Sequence, residues 1–186
     1  MIDYSQIHKS NFIQGFNLLE LMVTLSISIT LMMIAVPSYQ STVQNNQLSG
    51  TANDLYSALS FSRNLAINQS SYFTICASVN LQTCSNSTNW ATGWIIFKDR
   101  DGDTVFEHNG NSTLCETTDD CLIRVWDIQE LSTHFTGNTS AITFDLNGLP
   151  LTTANFSLYS SNCSGQEKRT ISVNSTGRAN VTFSNC

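Results

Sequence analysis

At 186 residues the chain has room for one compact domain with a core plus an extended element, and scarcely for two full domains. Fourteen acidic residues against eight basic ones give a net charge of −6, which keeps a protein soluble and argues against sequence-blind binding to nucleic acid or anionic lipid, so any DNA contact has to be local. Only 12% of the residues are charged while Ser, Thr and Asn abound, and such a hydroxyl- and amide-rich surface suits a domain outside the cytoplasm.

In chain order, the first strong signal is a nearly continuous apolar run from Leu18 to Val36 whose only charge is Glu20. At about 1.5 Å per residue it is long enough to cross roughly 30 Å of hydrocarbon, which predicts a membrane segment over 18–36. A conventional secretory signal places a small-residue cleavage site behind the apolar core. Here the core runs into Ala35-Val36-Pro37-Ser38-Tyr39 without a clear A-x-A.

Immediately before the core stands Gly15-Phe16-Asn17-Leu18-Leu19-Glu20, which resembles the type IV prepilin signal, cut after its Gly by a dedicated peptidase. The resemblance implies that residues 1–15 are a leader, removed by cleavage between Gly15 and Phe16. Phe16 then becomes the N-methylated first residue of the mature chain. Glu20 falls on the acidic position four residues later, and Pro37 falls where many pilins kink or melt their helix. Asn17 stands in place of the commoner Thr, and the leader carries Lys9 as its firm positive charge with Asp3 opposing it. A carboxylate within an apolar helix costs several kcal/mol unless it finds a partner. The new α-amino group of Phe16 is one such partner, within a subunit or between neighbours, and the pairing would fix the register of helix packing.

Past Pro37, apolar residues recur mostly at three and four through Val43, Leu48, Ala52, Leu55, Leu59, Leu65 and Ile67. This predicts one long helix over 16–70, amphipathic in its second half, with Pro37 and Gly50 as weak points. One face of that half should lie against a sheet. The first half has no partner within a monomer, so lipid or neighbouring helices must cover it.

From residue 71 the pattern changes to short β-prone runs between turn residues, which argues for one antiparallel sheet or two small ones. The runs are Tyr72 to Val79, Trp94 to Lys98, Leu122 to Ile128, Ala141 to Leu146, Phe156 to Ser160, Thr170 to Asn174 and Asn180 to Phe183. In the fourth, Ile142, Phe144 and Leu146 point one way and Thr143 and Asp145 the other. Asp101-Gly102, Asn109-Gly110 and Asn147-Gly148 are turn signals. Six cysteines without a C-x-x-C favour disulfides over zinc or thioredoxin-like chemistry. Fifteen pairings are open, and the two close pairs across turns favour Cys76-Cys84 and Cys115-Cys121, leaving Cys163-Cys186. Each close loop is worth roughly 2–3 kcal/mol.

Three stretches resemble the GspH/FimT family of type IV minor pilins and type II secretion pseudopilins. They are Ala52-Asn53-Asp54-Leu55-Tyr56-Ser57-Ala58-Leu59 through Arg63, Ala66 and Ile67; Gly93-Trp94-Ile95-Ile96-Phe97-Lys98-Asp99 with Asp101-Gly102-Asp103; and Ile171-Ser172-Val173 with Gly177-Arg178. The resemblance implies an α+β, type IV pilin-like fold, a long N-terminal hydrophobic helix packed on a C-terminal antiparallel β domain with disulfides over 71–186. It implies a minor pilin that takes part in assembly or initiation of a type IV pilus, held in the inner membrane by a single pass with a periplasmic domain before it joins the extracellular pilus. Its partners would be other major and minor pilins and the prepilin peptidase/methyltransferase, with double-stranded DNA a further candidate. The alternatives within the family are a DNA-binding pilin for natural transformation and a type II secretion minor pseudopilin.

Three further groups invite chemistry. Asp99, Asp101 and Asp103 with Gly102 set hard oxygen ligands at alternate positions of a turn, as Ca²⁺ would need, yet the spacing misses the EF-hand loop and suits a solvated hairpin turn. Arg178 after Gly177, with Lys168 and Arg169, is the basic grouping of the C-terminal third. In some FimT-like proteins a Gly-Arg-x-Arg motif binds DNA, and here Gly177-Arg178-Ala179-Asn180 retains its first half. Three cations on an acidic chain predict weak, salt-sensitive affinity. The histidines His8, His108 and His134 accompany no G-x-S-x-G, H-E-x-x-H or phosphate-cradling loop, so neither an enzyme nor a cofactor is expected. Trp90, Trp94 and Trp126 on strand-like segments read as core or interface. The Asn-x-Ser/Thr sequons at Asn86, Asn111 and Asn174 read as incidental in a chain of this composition.

Overall fold

The computed structural model describes residues 15–107, 120–128, 133–161, 163–165 and 167–186. The expected Asn109-Gly110 turn and the partner expected for Cys121, Cys115, lie outside them. Helix α1 (Leu18–Gln69) leads into strands β1 (Tyr72–Ala77), β2 (Gly93–Asp99), β3 (Cys121–Asp127), β4 (Thr133–Gly137), β5 (Ala141–Phe144), β6 (Ala154–Ser160), β7 (Lys168–Val173) and β8 (Ala179–Ser184). The chain divides between Thr42 and Val43 into two units, so the helix from Val43 onward belongs with the strands.

In the first unit, Asn17 caps the helix: its Oδ1 accepts the Leu19 N–H at 3.4 Å and its carbonyl accepts that of Leu21 at 3.1 Å. Every side chain from Leu18 to Val36 is exposed. The stretch is long and apolar enough to cross a membrane. Its hydroxyls turn inward on the helix itself, Thr24 donating to the Leu21 carbonyl, Ser26 to Met22, Ser28 to Thr24 and Thr30 to Ser26 at 2.8–2.9 Å.

The expected weak points do not interrupt α1, which is helical through both Pro37 and Gly50. Gly50 stands in open space. Its cost of about 1 kcal/mol relative to Ala is outweighed by the buried stripe that follows.

In the second unit, Leu48, Ala52, Leu55, Leu59, Ser62 and Ala66 bury one stripe of the helix, while Leu65 is partly buried and Ile67 exposed. The stripe packs in one core with two four-stranded antiparallel sheets, ordered β3-β2-β1-β5 and β4-β6-β7-β8. The first sheet gives Phe73, Ile75, Trp94, Ile96, Ile142 and Phe144 to this core, and the second gives Phe135, Ala154, Phe156, Leu158, Ile171 and Val173. Trp90 joins them, its indole N–H donated to the Thr139 carbonyl at 3.0 Å. Strands β6 and β7 show the burial of every second residue that a sheet with one covered face requires.

Strands β1 and β2 are buried almost throughout because their other face is covered as well. There Cys76, Ile95, Phe97 and Phe106 form a second cluster with Leu81 and Cys84, under the loop closed by the Cys76–Cys84 disulfide. A second disulfide joins Cys163 to Cys186 and so ties the end of β8 back to the β6–β7 connection. Thr143 lies on the face opposite Ile142 and Phe144, as alternation requires, and is buried there with its hydroxyl hydrogen-bonded to Thr74. One strand-level expectation is corrected: Leu146 lies past the end of β5 in the Asp145–Gly148 turn and is exposed.

Candidate functional site

Three places carry chemistry-bearing residues. At the start of α1, Glu20 is the sole charge between Leu18 and Val36. It is exposed, in the first turn, where the helix dipole favours a carboxylate. Among the described residues it has no hydrogen-bonding or ionic partner, and the neighbouring Phe16 and Gly15 are exposed too.

The second place is the basic grouping, which the fold separates. Lys168 and Arg169 open β7, where successive side chains point to opposite faces. Lys168 is on the outer face with its Nζ 5.9 Å from the Tyr159 ring, itself stacked on His134 at 4.9 Å. Arg169 turns inward: Nη1 donates to the Glu167 carbonyl at 2.6 Å, and Nη2 to Asn45 Oδ1 and Ser49 Oγ of α1 at 3.1 and 3.2 Å. Burial lowers its pKa, against the opposing pull of Glu167. Arg178 sits at the far end of the β7–β8 hairpin, in the turn where Asn174 Oδ1 accepts the N–H groups of Thr176 and Arg178. It is exposed and shares an open cleft of about 260 Å³ with Arg63, Tyr56 and Asn64. The three cations therefore form no single patch, and the one that joins Arg178 is Arg63, 115 positions earlier in the chain (178 minus 63).

That cleft is built by close backbone approach. Gly177 has φ +75°, and a Cβ there would lie 2.2 Å from the Gly148 carbonyl oxygen and 2.8 Å from Arg63 Nε. The same carbonyl accepts Arg63 Nε–H at 3.0 Å. Two turns and the helix thus converge on one acceptor, and only glycine fits at 177.

The third place is the acidic turn after β2. Asp99, Asp101 and Asp103 bring ligand oxygens within 4.8 Å of one another, but each already accepts backbone N–H groups. Asp99 is buried and takes Gly102 N–H at 2.7 Å, Thr104 N–H at 3.1 Å and the Thr74 hydroxyl at 2.7 Å. Asp101 takes that of Asp103, and Asp103 that of Val105. Asp120, unremarkable in the sequence, holds the same loop from outside by accepting the N–H groups of Arg100 and Glu107 at 3.0 and 3.1 Å. Burial raises the pKa of both Asp99 and Asp120 and their hydrogen bonds oppose the rise. The arrangement braces a turn.

Comparisons with known proteins bear on the architecture as a whole. The family profile described as type II transport protein GspH matches residues 51–177. Crystal structures of the type IV minor pilin FimU of Pseudomonas aeruginosa, strain PAO1, share the fold in two space groups. The P21 form superposes with a TM-score of 0.54 at 18% identity, covering 76% of this chain and 92% of that one. For the P65 form the TM-score is 0.50 at 18% identity, with 72% and 91% covered. No curated protein matches the sequence significantly. With more than half of its length inside the family profile, the chain belongs to the GspH family, and it shares its fold with a type IV minor pilin.

Proposed function

We propose that the protein is a minor pilin that helps to start or extend a type IV pilus together with other major and minor pilins. In this reading the prepilin peptidase removes residues 1–15, Phe16 is methylated, and residues 18–36 hold the chain in the inner membrane with the domain on the periplasmic side. Glu20 then guides docking by pairing with an α-amino group, its own or a neighbour's. The observation that carries this is the fully uncovered apolar half of α1 with one carboxylate at its head. Lipid and neighbouring helices are the two surroundings that bury such a surface, and a lone intramembrane carboxylate selects the position at which it is neutralised. The test is Glu20→Ala, which is expected to lower filament incorporation at least tenfold while leaving the domain folded. Wild-type incorporation and pilus number in the variant would refute the docking role.

The description of the matched family as a type II transport protein favours a second reading, a pseudopilin of a secretion system that uses the same helix. Deleting the gene separates the two, since loss of pili with intact secretion supports the pilus and the reverse supports the secreton. The pairing of Arg178 with Arg63 in one open cleft favours a DNA-capturing variant of the pilin reading. Binding of duplex DNA that weakens steeply with salt and is lost in Arg178→Ala would support it. Absence of binding at low salt would remove it.

A further inference from the structure

A guanidinium sealed into a protein ordinarily meets a carboxylate, because a buried charge without a counter-charge is strongly disfavoured. Arg169 is 5% exposed, yet its hydrogen-bond partners are all neutral: the Glu167 carbonyl, Asn45 Oδ1 and Ser49 Oγ. The Glu167 carboxylate acts on it only from a distance, its oxygens accepting from the Asn45 amide and the Ser164 N–H. Arg169 Nε is buried with no acceptor among the described residues. The Phe183 ring lies 4.3 Å over the guanidinium and is itself 64% exposed.

Arg169 also lines a small open cleft of about 190 Å³, with Ser49, Ala52 and Asn53 on the α1 side and Val181 and Phe183 on the β8 side. Strand β8 is the edge of its sheet, so it presents unpaired backbone groups beside the cleft. Asn53 is exposed there.

We propose that this cleft seats an Asp or Glu side chain of an adjoining pilin subunit, which enters beside Asn53 as the Phe183 ring swings aside and gives Arg169 a carboxylate in direct contact. The proposal rests on the filament reading above. A carboxylate matches the site in sign, in size and in donors: the unused Nε–H and the Asn53 amide are available to its two oxygens. The apolar walls Ala52, Val181 and Phe183 lower the local polarity, and a covering subunit would strengthen the pair further. The edge of β8 can hydrogen-bond the extended segment that bears the acid.

The deciding experiment uses Phe183→Trp in the full-length chain in detergent, which keeps an aromatic ring over the guanidinium and makes it fluorescent. Sodium acetate is titrated against sodium chloride at equal ionic strength. A saturable change in the emission of the added tryptophan with acetate alone, lost when Arg169→Met is combined with Phe183→Trp, is expected. A response that follows ionic strength only, or one that persists without Arg169, overturns the proposal. In cells, Arg169→Met is expected to lower incorporation at least tenfold beyond any loss of folded protein, with Arg169→Lys in between and available should the Met variant misfold. Incorporation of both variants in proportion to their folded protein would make Arg169 an internal tie and overturn the subunit contact. Should the wild-type chain enter no filament while the acetate response is present, the filament reading fails and the carboxylate site stands.

Discussion

The two halves of α1 both carry Leu, Ile, Val and Ala and treat them in opposite ways. Between Leu18 and Val36 no side chain is covered, whereas Leu48, Ala52, Leu55, Ala58, Leu59 and Ala66 are all but sealed. In the second half the apolar residues keep to one stripe, which chooses a partner within the chain, the two sheets. In the first half they surround the axis, and no single face of protein can satisfy that pattern. Total apolarity is therefore a less specific instruction than amphipathicity: it leaves the choice of cover to the surroundings, with Glu20 the one charge in the stretch.

The contrast can be broken by measuring where folding stability resides. Phe156 packs edge-on against Trp90 with centroids 4.9 Å apart and approaches Phe135 at 6.3 Å, so Phe156→Ala should cost about 3–5 kcal/mol in denaturant unfolding. A loss below about 1 kcal/mol would mean that the sheets are not the stabilising region.

An intermediate effect is expected at the acidic turn. Asn at position 99 offers one acceptor oxygen where three donors converge on two, so Asp99→Asn should cost about 1–3 kcal/mol at neutral pH. The folded-state pKa values of Asp99 and Asp120 lie above the ordinary 3.8, so the folded state binds protons more readily than the unfolded chain. Their contribution is fully present below the unfolded value and is lost as pH rises through the raised folded values. Stability should thus decline with rising pH across that window, less steeply in Asp99→Asn, as thermal melts at a series of pH values would show. An unchanged slope would place the dependence on other groups. The smallest effect is expected from Leu25→Ala, under about 0.5 kcal/mol on unfolding of the domain. A cost above about 1 kcal/mol would show that Leu25 has a partner within the chain and would erase the contrast.

Much of the fold could be read from periodicity. The apolar run and the three-and-four spacing beyond it predicted a helix over 16–70, and α1 spans Leu18–Gln69; β-prone runs between turn residues located seven of the eight strands among the described residues. Strand β4 escaped because His134-Phe135-Thr136 offers one apolar residue between two polar ones, too short a signal to separate from a turn. The apportioning of strands to two sheets was not legible, since both sheets send the same residue types to the helix. At the candidate sites the difficulty was spatial. Lys168 and Arg169 read as a basic pair because they are adjacent, although adjacency within a strand is what sends them to opposite faces; the predicted run Thr170 to Asn174 began one residue after Arg169 and so left both outside the strand. Arg63 could not be tied to Arg178 from sequence, because the link runs through the Gly148 carbonyl, an acceptor any residue possesses. Asp99 carried no mark of burial, its side-chain partner Thr74, itself bonded to Thr143, being a residue of ordinary strand surfaces.

The hydroxyls of Thr24, Ser26, Ser28 and Thr30 give the apolar half of α1 a portable character. Each is already bound to a carbonyl of its own helix, so the helix carries its hydrogen bonds with it and asks none of its surroundings. Leaving one apolar environment for another breaks none of them. Such a segment can slide and rotate among apolar neighbours at little cost, and in the proposed pilin role it would be the single acid at its head, rather than any interlocking of side chains along its length, that sets where the motion stops.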